Sequence, residues 1–179
     1  DRMAKLFFSF FWGRTDVYAK RNVNKNGEAA YYPQCDNFWS DNCHRKLNTH
    51  IDCKDCKYCS YTRLDLPTIL MHLRGNSYAA KDVIGVYPLF SDGTCRFLVL
   101  DFDNHEKNAE KRDFANTDDT WIEEVEAMRD ICSLNGIEPL IERSRSGKGA
   151  HIWIFFDKPI SAAVVRKFGF ALLDKGAEQ

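Results

Sequence analysis

The chain has 179 residues, 44% hydrophobic and 13% aromatic, enough for one substantial core and a small appendage. No apolar run approaches the roughly 20 residues of a membrane helix and no signal peptide is visible, so a helical membrane protein is excluded and a reducing, cytoplasmic setting is expected. The net charge of −1 is unevenly spread. Residues 1–75 carry 12 Lys and Arg against 8 Asp and Glu, and residues 76–179 carry 13 against 18. That asymmetry suits a mildly basic, nucleic-acid-contacting front beside an acidic, metal-binding remainder.

In chain order, residues 1–12 fit a helix or a buried strand equally well. Asp16–Lys20 and Ala29–Tyr32 alternate like strands, and Asn26-Gly27 between them is a hairpin turn signal. Lys20, Arg21, Lys25, Tyr31 and Tyr32 interleave cations with aromatics, a pattern that holds a nucleic-acid strand by phosphate attraction and stacking, and that ordinary exposed hairpins also show. Five of the seven cysteines follow within residues 35–59. Such clustering without a secretion signal reads as a metal site rather than as disulfides. The Cys53-x2-Cys56 turn brings two sulfurs to one Zn²⁺, and Cys35 and Cys43 complete a tetrahedron, with Cys59, His44 and His50 as competitors for a place. The segment is poor in aliphatic residues and is expected to need the metal in order to fold.

A short helix runs from Leu66-Pro67 to Leu73-Arg74-Gly75, with Pro at its start and Gly past its end. Val83–Tyr87 is a strand, Asp92-Gly93 a turn, and Arg96–Leu100 is expected to return antiparallel to it. This second strand runs into Asp101-Phe102-Asp103. Alternation points both carboxylates the same way, Cα atoms roughly 7 Å apart, while Phe102 points into the core. Two hard oxygen ligands on rigid backbone, with room left for substrate phosphates, suit Mg²⁺ or Mn²⁺. Residues 104–118 are polar and read as a surface loop. A helix from Thr120 has Trp121, Ile122, Val125, Met128 and Cys132 on its apolar face and stops at Gly136. Ile137–Glu142 is a strand and Arg143–Ala150 a loop with three cations, two serines and two glycines, suited to gripping a triphosphate although no Walker spacing is present. His151–Phe156 is a strand, and Ser161 caps a helix to about Lys175. The order from residue 83, β-β-α-β-β-α, predicts an α+β fold: an RRM-like palm over 76–179, with an antiparallel sheet and helices on one face, behind an N-terminal zinc-binding segment within 1–75.

The apolar strand with Asp101-Phe102-Asp103, followed by Ser144-Arg145-Ser146-Gly147-Lys148-Gly149-Ala150-His151-Ile152-Trp153, resembles motifs I and II of the archaeo-eukaryotic primase superfamily. The chain is most similar to the primase-polymerase domains of TOTE-type bacterial conflict systems, which occur alongside helicase and nuclease modules. The resemblance runs from Gly13-Arg14-Thr15-Asp16 onward, through the cysteine segment, His72–Gly75 and Ile84–Leu89. It implies that Asp101 and Asp103 bind the catalytic Mg²⁺ or Mn²⁺, and that Ser146 and His151, helped by Arg145 and Lys148, hold the triphosphate of an NTP or dNTP. A 3′-hydroxyl would attack on a DNA or RNA template. The family's third acidic residue has no counterpart; Asp157 and Asp174 sit in a turn and a helix end, so the chain is expected to stop short of it. Two alternatives compete: a zinc-containing, non-catalytic nucleic-acid-binding module, and a haloacid-dehalogenase-like phosphatase, for which His105 stands where Thr or Val is wanted.

Overall fold

The computed structural model describes residues 2–44, 51–103, 120–144 and 147–177. The expected loop at 104–118 and the zinc competitor His50 lie outside them. The chain divides into two compact units, 1–91 and 92–179.

In the first unit, helix α1 (Arg2–Phe10) resolves the ambiguity of the N-terminus. Strands β1 (Ala19–Val23) and β2 (Ala29–Pro33) form the expected hairpin, with Gly27 at φ 83° in its turn. Asn24 Oδ1 accepts from the Asn26 and Glu28 amides and so closes that turn. Helix α2 (Leu66–Arg74) begins where the Asp65 carboxylate accepts from Thr68 N at 2.9 Å and ends at Gly75, φ 60°. Ala4, Tyr18, Leu64 and Ile69 form the core, with Phe7, Phe8, Leu70 and Val86 packed around them. Strand β3 is only Ile84–Gly85, and it pairs with β1 in the order β2-β1-β3. This corrects the expected hairpin between residues 83–87 and 96–100. Residues 76–91 consequently fall with the first unit.

The second unit is β4 (Thr94–Asp103), α3 (Thr120–Leu134), β5 (Leu140–Arg143), β6 (Gly149–Ser161) and α4 (Ala162–Ala177). Its sheet has three antiparallel strands in the order β4-β6-β5, one fewer than the expected palm, because β3 belongs elsewhere. Leu100, Ala150, Ile152 and Ile154 pack against Trp121, Val125, Met128, Ile131, Cys132 and Leu172, so both helices lie on one face. Ile131 takes the buried place expected for Ile122, which is exposed. Strand β6 runs past the expected end at Phe156. Pairing steps from Phe97↔Phe155 to Cys95↔Ile160, which leaves a bulge that takes in Pro159. A residue without an N–H fits there, and Arg96 Nη2 donates to the Asp157 carbonyl at 2.7 Å. No helix among the described residues is long and apolar enough to cross a membrane.

Candidate active site

Strand register decides which side chains meet. Directly paired residues share a face, so Phe97/Phe155, Val99/Trp153/Leu140, Asp101/His151/Glu142 and Asp103/Gly149 all lie opposite the helices. Along this face the row changes from aromatic to ionisable as it nears the end of β4. Phe97 and Trp153 are 5.8 Å apart between ring centroids, and Trp153 stacks on Phe155 at 6.3 Å.

Three charged or polar side chains then span the sheet. His151 Nε2 lies 3.5 Å from Asp101 Oδ1, and His151 Nδ1 lies 3.3 Å from Glu142 Oε2. The same Glu142 oxygen accepts from Trp153 Nε1 at 2.9 Å. His151 is therefore flanked by carboxylates on both ring nitrogens, with Asp103 one pleat further along β4. Asp101 stays largely exposed, 61% at its side chain, and so remains open to solvent and ligands.

The β5–β6 connection closes at this same end. Ser144 N donates to Gly149 O and Gly147 N to Ser144 O, both at 2.9 Å, with Gly147 at φ 74°. Arg143 reaches back with Nε and Nη2 to the Gly147 carbonyl, at 3.2 and 2.9 Å. The guanidinium thus braces the bend. Lys148 is exposed beside Gly149; Arg145 and Ser146 lie outside the described residues. Of the expected site, the structure brings Asp101, Asp103 and His151 to one face and sets Lys148 in the adjoining connection. Asp157 lies in the β6 bulge and Asp174 near the end of α4.

Glu142 is not among the residues the sequence singles out. Its signal is its position two residues after Leu140 on a strand whose pairing with His151 only the register reveals.

The cysteines gather elsewhere, in the first unit. Cys35, Cys43, Cys53, Cys56 and Cys59, with His44, line a cavity of about 20 Å³, close to the space of one water molecule. Successive turns place the Cys56 amide on the Cys53 carbonyl and the Cys59 amide on the Cys56 carbonyl. The Cys59 thiol is pushed up to about 11, first by burial and then by its neighbour Cys35. Among the described residues, however, no three Cys, His, Asp or Glu groups stand close enough to hold a metal ion. The four-cysteine zinc site expected from spacing is therefore not assembled, although its donors border one cavity.

Fold and site together define a mixed α+β domain with two small antiparallel sheets and an aspartate pair beside a strand histidine. The family model for the archaeo-eukaryotic primase domain of TOTE conflict systems matches residues 2–179, and the chain belongs to that family. The family is of the primase and polymerase type, generally nucleotidyltransferase-like, and typically uses divalent metals; a primase-type domain implies nucleic-acid and nucleotide substrates. No curated protein matches the chain.

Proposed function

We propose that this chain is the RRM-like catalytic domain of a primase-polymerase. It would transfer a nucleotidyl unit from an NTP or dNTP to a 3′-hydroxyl on a nucleic-acid template. The observation that carries the reading is the row Asp101–His151–Glu142 with Asp103 alongside, all on one sheet face at the end where the glycine-bearing connection closes.

The two aspartates are an apt donor set for Mg²⁺ or Mn²⁺. They are hard, exposed and few, and such ions take the rest of their shell from water and substrate phosphates. When bound, the ions would supply charge stabilisation at the attacking and leaving oxygens. The chain's own groups position the reactants. Asp101 and Asp103 anchor that end of the site. His151, held by Glu142 at Nδ1, turns Nε2 toward Asp101, and its imidazolium form, in which both nitrogens donate, is the one that would bond a phosphate oxygen there. Lys148, Arg145 and Ser146 supply further donors to the triphosphate. The 3′-hydroxyl gives its proton to solvent as its oxygen bonds the α-phosphorus, and pyrophosphate leaves with the electron pair of the broken P–O bond. Glu142 is engaged with His151 and Trp153, so its role is to position rather than to ligate metal.

A Zn²⁺ ion in the cysteine cavity is part of the same reading. Thiolates are soft donors that select zinc, and Cys35, Cys43, Cys53 and Cys56 are the set expected to close on it, with Cys59 and His44 bordering the same space. A reducing, cytoplasmic setting would keep those thiols available, and helicase and nuclease modules are the partners expected of such a domain. Template-directed incorporation of a labelled nucleotide tests the whole assignment. Activity that needs Mg²⁺ or Mn²⁺ and is lost in Asp101→Asn supports it. Oligonucleotide binding without incorporation would favour the non-catalytic module.

A further inference from the structure

The first unit carries a concavity whose lining includes none of the residues used in the reaction above. It is a groove of about 530 Å³, the size of a small-ligand site. Lys20, Arg21 and Lys81 line it together with Tyr32, Phe38 and Trp39. None of the described lining residues is acidic. Neither Lys20 nor Lys81 makes an ion pair among the described residues.

The secondary structure explains why these groups converge. Lys20 and Tyr32 are directly paired across the β1–β2 hairpin, so their side chains leave the same face. Lys20 is also paired with Ile84 of β3, and Lys81 sits just before that strand. Gln34 Nε2 donates to the Tyr32 carbonyl and fixes the exit of β2. The chain then turns through Cys35–Phe38, where the Phe38 amide donates to the Cys35 carbonyl at 3.1 Å. Trp39 follows with 79% of its surface exposed, its indole edge-on to Phe38 at 4.9 Å. A tryptophan so exposed gains little for folding. Beside cations in a concave surface it offers a π-face for stacking.

We propose that this groove binds single-stranded nucleic acid, with bases stacked on Trp39 and Tyr32 and backbone phosphates against Lys20 and Lys81. Cations supply affinity without sequence preference, and aromatic faces accept any unpaired base, whereas paired bases in a duplex keep their faces hidden. The site extends the proposed function to a second contact, on the first unit, for the strand the enzyme acts on. It is decided by binding alone, whatever incorporation assays show.

The test is fluorescence anisotropy with the full chain and a labelled oligothymidine, repeated across salt concentrations. Trp39→Ala should weaken binding by about tenfold, within the range for loss of one stacking platform. Lys20→Ala/Lys81→Ala should lower the slope of log affinity against log salt by about 1.4, from about 0.7 per phosphate contact on a single strand. An unchanged thermal midpoint is expected for Trp39→Ala, since Trp39 is exposed, and a small drop for the lysine variant, since Lys81 is exposed but Lys20 is half-buried. Wild-type affinity in Trp39→Ala together with an unchanged salt slope in the lysine variant would overturn the proposal. So would equal affinity for blunt duplex, or competition by an acidic peptide at equal charge and concentration.

Discussion

Glu142 offers the sharpest quantitative test of how the site is held. Its Oε2 serves two donors, Trp153 Nε1 at 2.9 Å and the Nδ1 edge of His151 at 3.3 Å. Hydrogen bonds to a charged acceptor are worth roughly 1.5–3 kcal/mol net, against about 1 kcal/mol for a neutral one. The carboxylate is 57% exposed, so the lower end of that range applies. Glu142→Gln keeps the shape and one good acceptor and should cost about 1 kcal/mol in the oriented state of His151. Glu142→Ala removes both contacts and should cost about 2 kcal/mol. At about 1.4 kcal/mol per tenfold in rate, these become roughly fivefold and 30-fold losses in kcat for single-nucleotide incorporation, with KM for the primed template little changed. The two contacts join β5 to β6, so the thermal midpoint should fall by several degrees, and kcat is compared well below it. A Glu142→Ala protein with wild-type kcat would refute the positioning role. So would a loss traced entirely to unfolding.

Three further outcomes follow from other parts of the molecule. Purified protein should carry close to one Zn²⁺ per chain by elemental analysis, and Cys53→Ser should lose it along with much of the protease resistance of the first unit; a metal-free wild type of full stability would remove zinc from the account. Ile152 is fully buried beneath the His151 row, and Ile152→Ala should destabilise the second unit by about 3 kcal/mol in urea unfolding, whereas a cost below about 1 kcal/mol would contradict the packing. Asp65 and Asp92 are each held below the ordinary aspartate value of 3.8, mainly by hydrogen bonds from Thr68 and Thr94. Depressed folded-state values mean that this stability is complete above about pH 4 and is lost as pH falls through them, so thermal midpoints should drop as pH is taken below about 4.

What could be read from the chain was whatever local chemistry specifies. Asn26-Gly27 marks its hairpin, Pro67 and Gly75 bracket α2, and the stop at Gly136 ends α3, because turn and cap geometry depends on a few neighbouring residues. The same-face placement of Asp101 and Asp103 also follows from strand alternation alone. Long-range pairing was not legible. A two-residue strand such as Ile84–Gly85 has no periodicity, and its choice of β1 over β4 rests on contacts that no window of sequence contains. The run of β6 through Pro159 was hidden because proline reads as a strand end, and only the bulge facing Arg96 makes it tolerable. Glu142 stayed hidden for a related reason. Its partnership with His151 is set by the β5–β6 register across a loop, and an isolated strand glutamate carries no mark of it.

The most direct trial of the account is single-nucleotide incorporation on a primed template, with Mg²⁺ or Mn²⁺, comparing wild type with Asp101→Asn and Asp103→Asn. The account predicts metal-dependent extension by the wild type and at least a hundredfold loss in each variant, about 2.7 kcal/mol or more at the transition state, with folding intact. Extension that survives both substitutions would contradict the placement of the reaction at the end of β4.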